Sequence, residues 1–285
     1  HPTVSYATPS ATGSLSFTPV ADASGTATIT VTVDDGQSLN NSVSRTFTVT
    51  VSAVNDAPTL AALGNVNLSE DAGAQTVSLS GIGTGAANES QTLTVTATSS
   101  NTGLVPNPSV TYVSPDTTGS LNFTPVANAN GSATITVTVN DGQAQNNTFS
   151  RTFTVTVSAA NDAPTLAGLG NLTLSEDAAA QTVTLSGIGA GAANESQTLT
   201  VTATSSNPSV VPNPTVNYTS PNAAGSLSLT PAANASGSAT ITVTVNDGQA
   251  QNNTVIRSFT VTVNAVNQPP TFNPVSNLAL NENDG

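Results

Sequence analysis

The feature that most constrains this chain is that it repeats. Arg45, Arg151 and Arg257 lie 106 residues apart, as do Asn55, Asn161 and Asn267, and the acids Glu70, Glu176 and Glu282. Residues 57-162 and 163-268 align without a gap and are identical at most positions. A fixed period means one folded unit built again and again, and a period of this length is enough for a unit with its own core. Four segments follow: 1-56, the C-terminal half of a repeat; 57-162 and 163-268, complete repeats; and 269-285, the first strand of a further repeat. The opening "HPTVSYATPSATGSLSFTPV" stands against "NPSVTYVSPDTTGSLNFTPV" at 107–126. The expectation is a window on a longer repetitive chain. Head-to-tail completion between molecules is the weaker reading, because 269-285 would supply one strand against everything in 57–106.

Within a repeat, apolar residues alternate with Thr and Ser at period two, and turn residues separate the runs. Strands are expected near 65–68, 75–80, 91–98, 109–113, 120–123, 133–139 and 148–157, with a short extended lead-in at 58–60. "TITVTV" at 134–139 and "RTFTVTV" at 151–157 place Ile, Val and Phe on one face and Thr on the other. β-Branched residues on both faces suit strands. Short strands in this number, with no helical pattern between them, predict an all-β fold: tandem immunoglobulin-like, seven-stranded β-sandwiches. The linker "VNDAP" is short, which predicts an extended rod rather than beads on a string.

Charge narrows the partners. Charged residues are only 7% of the chain, Lys is absent, and the net charge is −13. Nucleic acid is excluded as a partner, since phosphate needs basic patches to neutralise it. No apolar run approaches the roughly 20 residues that span a bilayer, so no membrane insertion is expected in this window. No leader is visible, because the sequence opens inside a repeat. Cys is absent, which removes disulfides and thiolate metal sites and leaves the redox compartment open.

The acids recur with the repeat. Asp35, Asp141 and Asp247; Asp56 and Asp162; Glu70, Glu176 and Glu282; Asp71 and Asp177; and Glu89 and Glu195 all keep the 106-residue spacing. They fall in the linker, in "SED" after the first strand, in "NES" before the third and in "DG" after the sixth. In a sandwich such loops gather at the two poles. Carboxylates brought together there repel unless a cation joins them, and calcium takes 6–8 oxygen ligands. Two readings stand: a metal at the linkers, or turn chemistry alone. Asp141-Gly142 suits a hairpin turn, and Asn161-Asp162 suits a turn cap, with no metal needed.

The "VNDAPT" linker, the "SED" and the "NESQTLTVTA" entry to the third strand resemble the cadherin-like tandem repeats of large secreted bacterial surface proteins. The resemblance covers essentially the whole chain. It implies calcium between successive repeats. At the first linker the implied ligands are Asn55, Asp56, Asn88 and Glu89. At the second they are Glu70, with Asp71 beside it, Asn161, Asp162, Asn194 and Glu195. Glu176 and Asn267 belong to the third. The chain departs from the family where the leading linker Asp is replaced by Ala53 and Ala159. The mid-domain acidic motif is absent, and Gln268 stands where the first two linkers have Asp. Fewer charged ligands mean fewer ions or weaker binding, weakest at Gln268.

Catalysis has no foothold in the sequence. His1 is the only His, and no Ser is paired with a base by any motif. The single Arg of each repeat is expected to bond a nearby carboxylate or carbonyl, and Tyr6, Tyr112 and Tyr218 to pack in the core or at its edge. The function expected is a non-catalytic stalk or fibre of an extracellular, cell-surface protein, stiffened by calcium and serving adhesion or filament assembly. Self-association and a polysaccharide or protein of a surface or matrix are its candidate partners. The alternative is an array of carbohydrate- or protein-binding modules, which would show clustered exposed aromatics.

Overall fold

A computed structural model describes residues 1–279 and 282, and its chain divides into two compact units, 1–159 and 160–285. Leu280, Asn281, Asn283, Asp284 and Gly285, the end of the expected strand in 269-285, lie outside the described residues. The described residues 269–279 contain no strand. Among the described residues the protein is all-β, and no helix is long and apolar enough to cross a membrane.

The first unit opens with two antiparallel pairs. β1 (Thr3–Ser5) pairs with β2 (Ser14–Ser16), and β3 (Gly25–Asp34) pairs with β4 (Ser42–Val51). A complete sandwich follows: β5 (Val66–Ser69), β6 (Gln75–Ser80), β7 (Thr94–Ser99), β8 (Ser109–Thr111), β9 (Thr118–Phe123), β10 (Gly131–Asn140) and β11 (Thr148–Ser158). One sheet has the order β5-β11-β10-β7 and the other β6-β9-β8. β5 runs parallel to β11, with Val66 opposite Val155, and the other pairs are antiparallel. The lead-in at Thr59 bridges to Gly83, and the Ala61 amide donates to the Ser80 carbonyl (2.9 Å), which covers the outer edge of β6.

Alternation produces this architecture. Ile135, Val137 and Val139 of β10 are fully buried, and the Thr residues between them face outward. Phe153, Val155 and Val157 of β11 bury beside them, against Leu79, Leu121 and Phe123 of the opposite sheet. Each such side chain contributes about 1.5–3 kcal/mol on leaving water. Tyr112 packs against the same core. A Cβ on the facing Gly119 would lie 2.9 Å from the Thr111 carbonyl, so no larger residue fits there. Arg151 donates from Nε to the Leu60 carbonyl (3.3 Å) and lies over the Phe149 ring, the carbonyl pairing the sequence allowed.

The second unit repeats the plan. Its strands are β12 (Leu172–Ser175), β13 (Gln181–Ser186), β14 (Thr200–Ser205), β15 (Thr215–Asn217), β16 (Ala224–Leu229), β17 (Gly237–Asn246) and β18 (Thr254–Asn264). They form sheets β12-β18-β17-β14 and β13-β16-β15, again with one parallel pair, β12 and β18. Ile241 faces Phe259 as Ile135 faces Phe153.

One connection differs from the sequence expectation. The β10–β11 connection is a longer loop, closed by the Asp141 amide on the Asn147 carbonyl (3.1 Å), rather than a tight Asp-Gly hairpin. The edge strand β7 is capped at both ends. The Leu93 amide donates to Ser114 Oγ (3.0 Å) and the Ser99 amide to Asn107 Oδ1 (2.8 Å). The same caps close β14 through Ser220 and Asn213.

Candidate functional site: a hydrogen-bonded node at each linker

The linker asparagine follows the last strand of one repeat and fastens itself to the sandwich ahead of it. In the first unit Asn55 Nδ2 sits among four oxygens: Asp141 Oδ2 (2.9 Å) and the carbonyls of Gln145 (3.0 Å), Asp56 (3.2 Å) and Asn146 (3.4 Å). Its Oδ1 accepts Gln91 Nε2 (3.0 Å), and its carbonyl accepts Asn146 Nδ2 (3.0 Å). The next amide, that of Asp56, donates to Glu89 Oε1 (2.8 Å). Two loops therefore meet on two linker residues: the β6–β7 loop with Glu89 and Gln91, and the β10–β11 loop with Asp141, Gln145 and Asn146, both gripping the linker.

Local sequence shapes each part. Asp141 is 3% exposed, and its Oδ1 accepts the Gln143 amide (2.9 Å), which aims Oδ2 at the linker. Asn146 has φ 49°, a left-handed conformation that Asn tolerates well. Gly85 has φ 111°, and a Cβ there would lie 2.5 Å from the Ala57 carbonyl, so the β6–β7 loop reaches the linker only through glycine. The amide orientation is forced as well. Turned round, Asn55 would set Oδ1 against a carboxylate and carbonyls, with its NH₂ group facing the Gln91 amide.

The second unit reproduces the node. Asn161 Nδ2 meets Asp247 Oδ2 (2.9 Å) and the carbonyls of Gln251 (3.0 Å), Asp162 (3.1 Å) and Asn252 (3.3 Å). Gln197 Nε2 donates to Asn161 Oδ1 (3.0 Å), and Asp247 is 3% exposed. The Asp162 amide donates to Glu195 Oε1 (2.9 Å), and Glu195 Oε2 accepts the Ala192 amide (3.3 Å).

The residues named from the resemblance are distributed as follows. Asn55, Asp56 and Glu89 come together, as do Asn161, Asp162 and Glu195. Asn88 and Asn194 are exposed at the rims of their loops. Asn88 lines a polar pocket of about 390 Å³ with Ser24, Asn55, Glu89, Gln91 and Gln143. Glu70 is buried at the end of β5, its amide on the Ser158 carbonyl (2.8 Å). That is the end of β11 from which the chain enters the second linker, the one to which the resemblance assigns Glu70. Asp71 beside it accepts the Asn128 amide (2.9 Å). Glu176 donates its amide to the Asn264 carbonyl (2.8 Å), and Asn267 is exposed. Gln268 donates from Nε2 to Asp177 Oδ2 (3.1 Å), so an amide meets a carboxylate at this linker too.

The donor set fits calcium poorly. Among the described residues no group of three His, Asp or Glu side chains is placed to hold a metal ion. At the first linker, Glu89 Oε2 and Gln91 Oε1 are the buried oxygens without a hydrogen bond. Calcium asks for six to eight. The Asn55 and Asn161 amides present nitrogen, not oxygen, to the carboxylates. Gln91, Asp141, Gln145 and Asn146 were not singled out as linker partners in the sequence. They recur at 106 residues like their neighbours, and in a chain where most positions recur that signal does not discriminate.

A family comparison agrees with this fold. The family model "Bacterial Ig domain" matches residues 55–158 and 161–264, and "Lipoprotein associated domain" matches residues 5–55. No curated protein matches. Among solved structures the chain is similar to human Desmocollin-1 ectodomain, at 14% identity over 85% of this chain and 47% of that one, TM-score 0.40. It is similar to extracellular cadherin domains 1-4 of Protocadherin Gamma B7, at 18% identity over 88% of this chain and 60% of that one, TM-score 0.42. Titin domains z1z2 in complex with telethonin match at 14% identity over 75% of this chain and 100% of that one, TM-score 0.32. With two tandem copies of its model spanning most of the sequence, the chain belongs to the bacterial Ig domain family.

Proposed function

We propose that this chain is a non-catalytic structural segment, a stalk or fibre region, of a bacterial extracellular surface protein. The observation that supports the reading is the repetition of one linker node in both units, Asn55 with Asp141 and Asn161 with Asp247. Each node ties the linker to the repeat that follows it. The repeats are better drawn from Asn55 and Asn161 than from 57 and 163. Only Ala159 and Ala160 then separate β11 from its next anchor. A free segment that short has little conformational freedom. The target of such a stalk, a polysaccharide or protein, would be met by an element it carries.

Calcium at the linkers, with the ligands implied by the resemblance, is the competing account of their stiffness. An array of binding modules is the competing account of the function. A chain lengthened by one further copy of 163–268, studied beside the original, tests the stalk. Small-angle scattering should show a maximum dimension that grows by a constant increment per repeat, and glycan arrays should show no saturable binding by either. Saturable binding that scales with repeat number would replace the stalk with an array of binding modules.

A further inference from the structure

We propose that the side-chain amide of the linker asparagine stands in for a cation, so that each linker is fastened to the repeat that follows it without calcium. The inference goes beyond the stalk reading, since it concerns what holds the linker whatever the stalk carries. Four oxygens converge on Asn55 Nδ2 within 3.4 Å, and four on Asn161 Nδ2 within 3.3 Å. An amide NH₂ has two hydrogens, so such a cluster is richer in acceptors than the amide can serve with full bonds. One carboxylate and three carbonyls around a point is the ligand chemistry of a hard cation. Here the partial positive charge of an amide fills that point.

The supporting groups are chosen accordingly. Gln91 and Gln197 donate to the asparagine oxygen, which polarises each amide and fixes its nitrogen toward the aspartate. The Asp56 and Asp162 backbone amides donate to Oε1 of Glu89 and Glu195, a charge-assisted hydrogen bond in each unit. At the third linker, Gln268 places an amide on Asp177. That contact is of another kind, since Gln268 stands at the position of Asp56 and Asp162 and reaches back to the repeat before it.

The test is Asn161→Asp in the whole chain, which keeps the shape and replaces the donor with a charged acceptor. In excess chelator its unit should melt about 10 °C below the native one, because a carboxylate then faces Asp247 and carbonyls. Millimolar calcium should restore most of that loss, since the exchange completes an oxygen cage. The native chain should melt at the same temperature in calcium and in chelator, and should show no stoichiometric calcium uptake by calorimetry. Calcium-dependent melting or stoichiometric uptake by the native chain would overturn the proposal. An Asn161→Asp variant as stable in chelator as the native chain would overturn it equally. Should the variant fail to fold, Gln197→Met, which removes the supporting donor, must still lower the melting temperature in chelator, and a neutral effect there counts against the account.

Discussion

Residues 1–56 and 107–162 carry nearly the same pattern, yet they end in different environments. Their strand pairings agree residue for residue: Ile29 faces Phe47 as Ile135 faces Phe153. Their loops agree too, with Gln37 donating to Asp35 as Gln143 donates to Asp141. Burial differs. Phe47 is 43% exposed against 2% for Phe153, and Val33 is 59% exposed against 0% for Val139. Asp35 is exposed where Asp141 is buried under the linker asparagine. Strands and turns are thus local products of alternation and turn chemistry. The core and the linker node require the second sheet, with the linker laid across the β10–β11 loop.

That contrast can be broken experimentally. The largest effect should come from Phe153→Ala, which opens a cavity and costs about 3–5 kcal/mol in denaturant unfolding of the chain. Phe47→Ala should cost under about 1 kcal/mol, because little is buried there to lose. Equal losses would mean that residues 1–56 hold a core of their own. Next in size is Gly85→Ala or Gly191→Ala. The added Cβ would lie 2.5 Å from Ala57 O in the first and 2.8 Å from Asp162 Cβ in the second. A loss of about 2–3 kcal/mol is expected from the clash and the positive φ, visible as a lower melting temperature.

The buried aspartates come third. Asp141→Ala removes the acceptor of both the linker amide and the loop amide, for about 1.5–3 kcal/mol, whereas Asp35→Ala should change stability by less than about 0.5 kcal/mol. A double-mutant cycle of Asp141→Ala with Asn55→Ala should show coupling well above noise, and additive losses would separate the two residues energetically. The smallest effect is Arg151→Met, near 0.5–1 kcal/mol from the lost carbonyl bond and ring contact.

Much of the fold was legible because period-two alternation is a strong signal when both sheets are half-buried. The strand expected at 75–80 is found at Gln75–Ser80. The strand expected from residue 91 begins at Thr94, because Gln91 is drawn out of the ladder to reach Asn55. The strand expected to 113 ends at Thr111, just before Tyr112 turns to the core. At the site, recurrence singled out Asn55, Asp56 and Glu89, and the resemblance grouped them at the linker. Neither revealed that Asp141, far away in sequence and suited to a simple hairpin, is the acceptor that holds them. That pairing depends on how the β10–β11 loop folds back, which no local pattern encodes. Glu70 was named for the second linker by the resemblance alone, and it lies at the end of β5 with its amide on Ser158, where β11 ends.

The most direct test of the node is hydrogen exchange at the Asp56 and Asp162 backbone amides and at the Asn55 and Asn161 side-chain amides, followed by NMR in excess chelator. The hydrogen-bonded node predicts that all four stay protected, to the same degree as in calcium, because their acceptors are carboxylates and carbonyls of the same unit. Exchange at the rate of exposed loops once calcium is removed would contradict it, and would return the linkers to a metal.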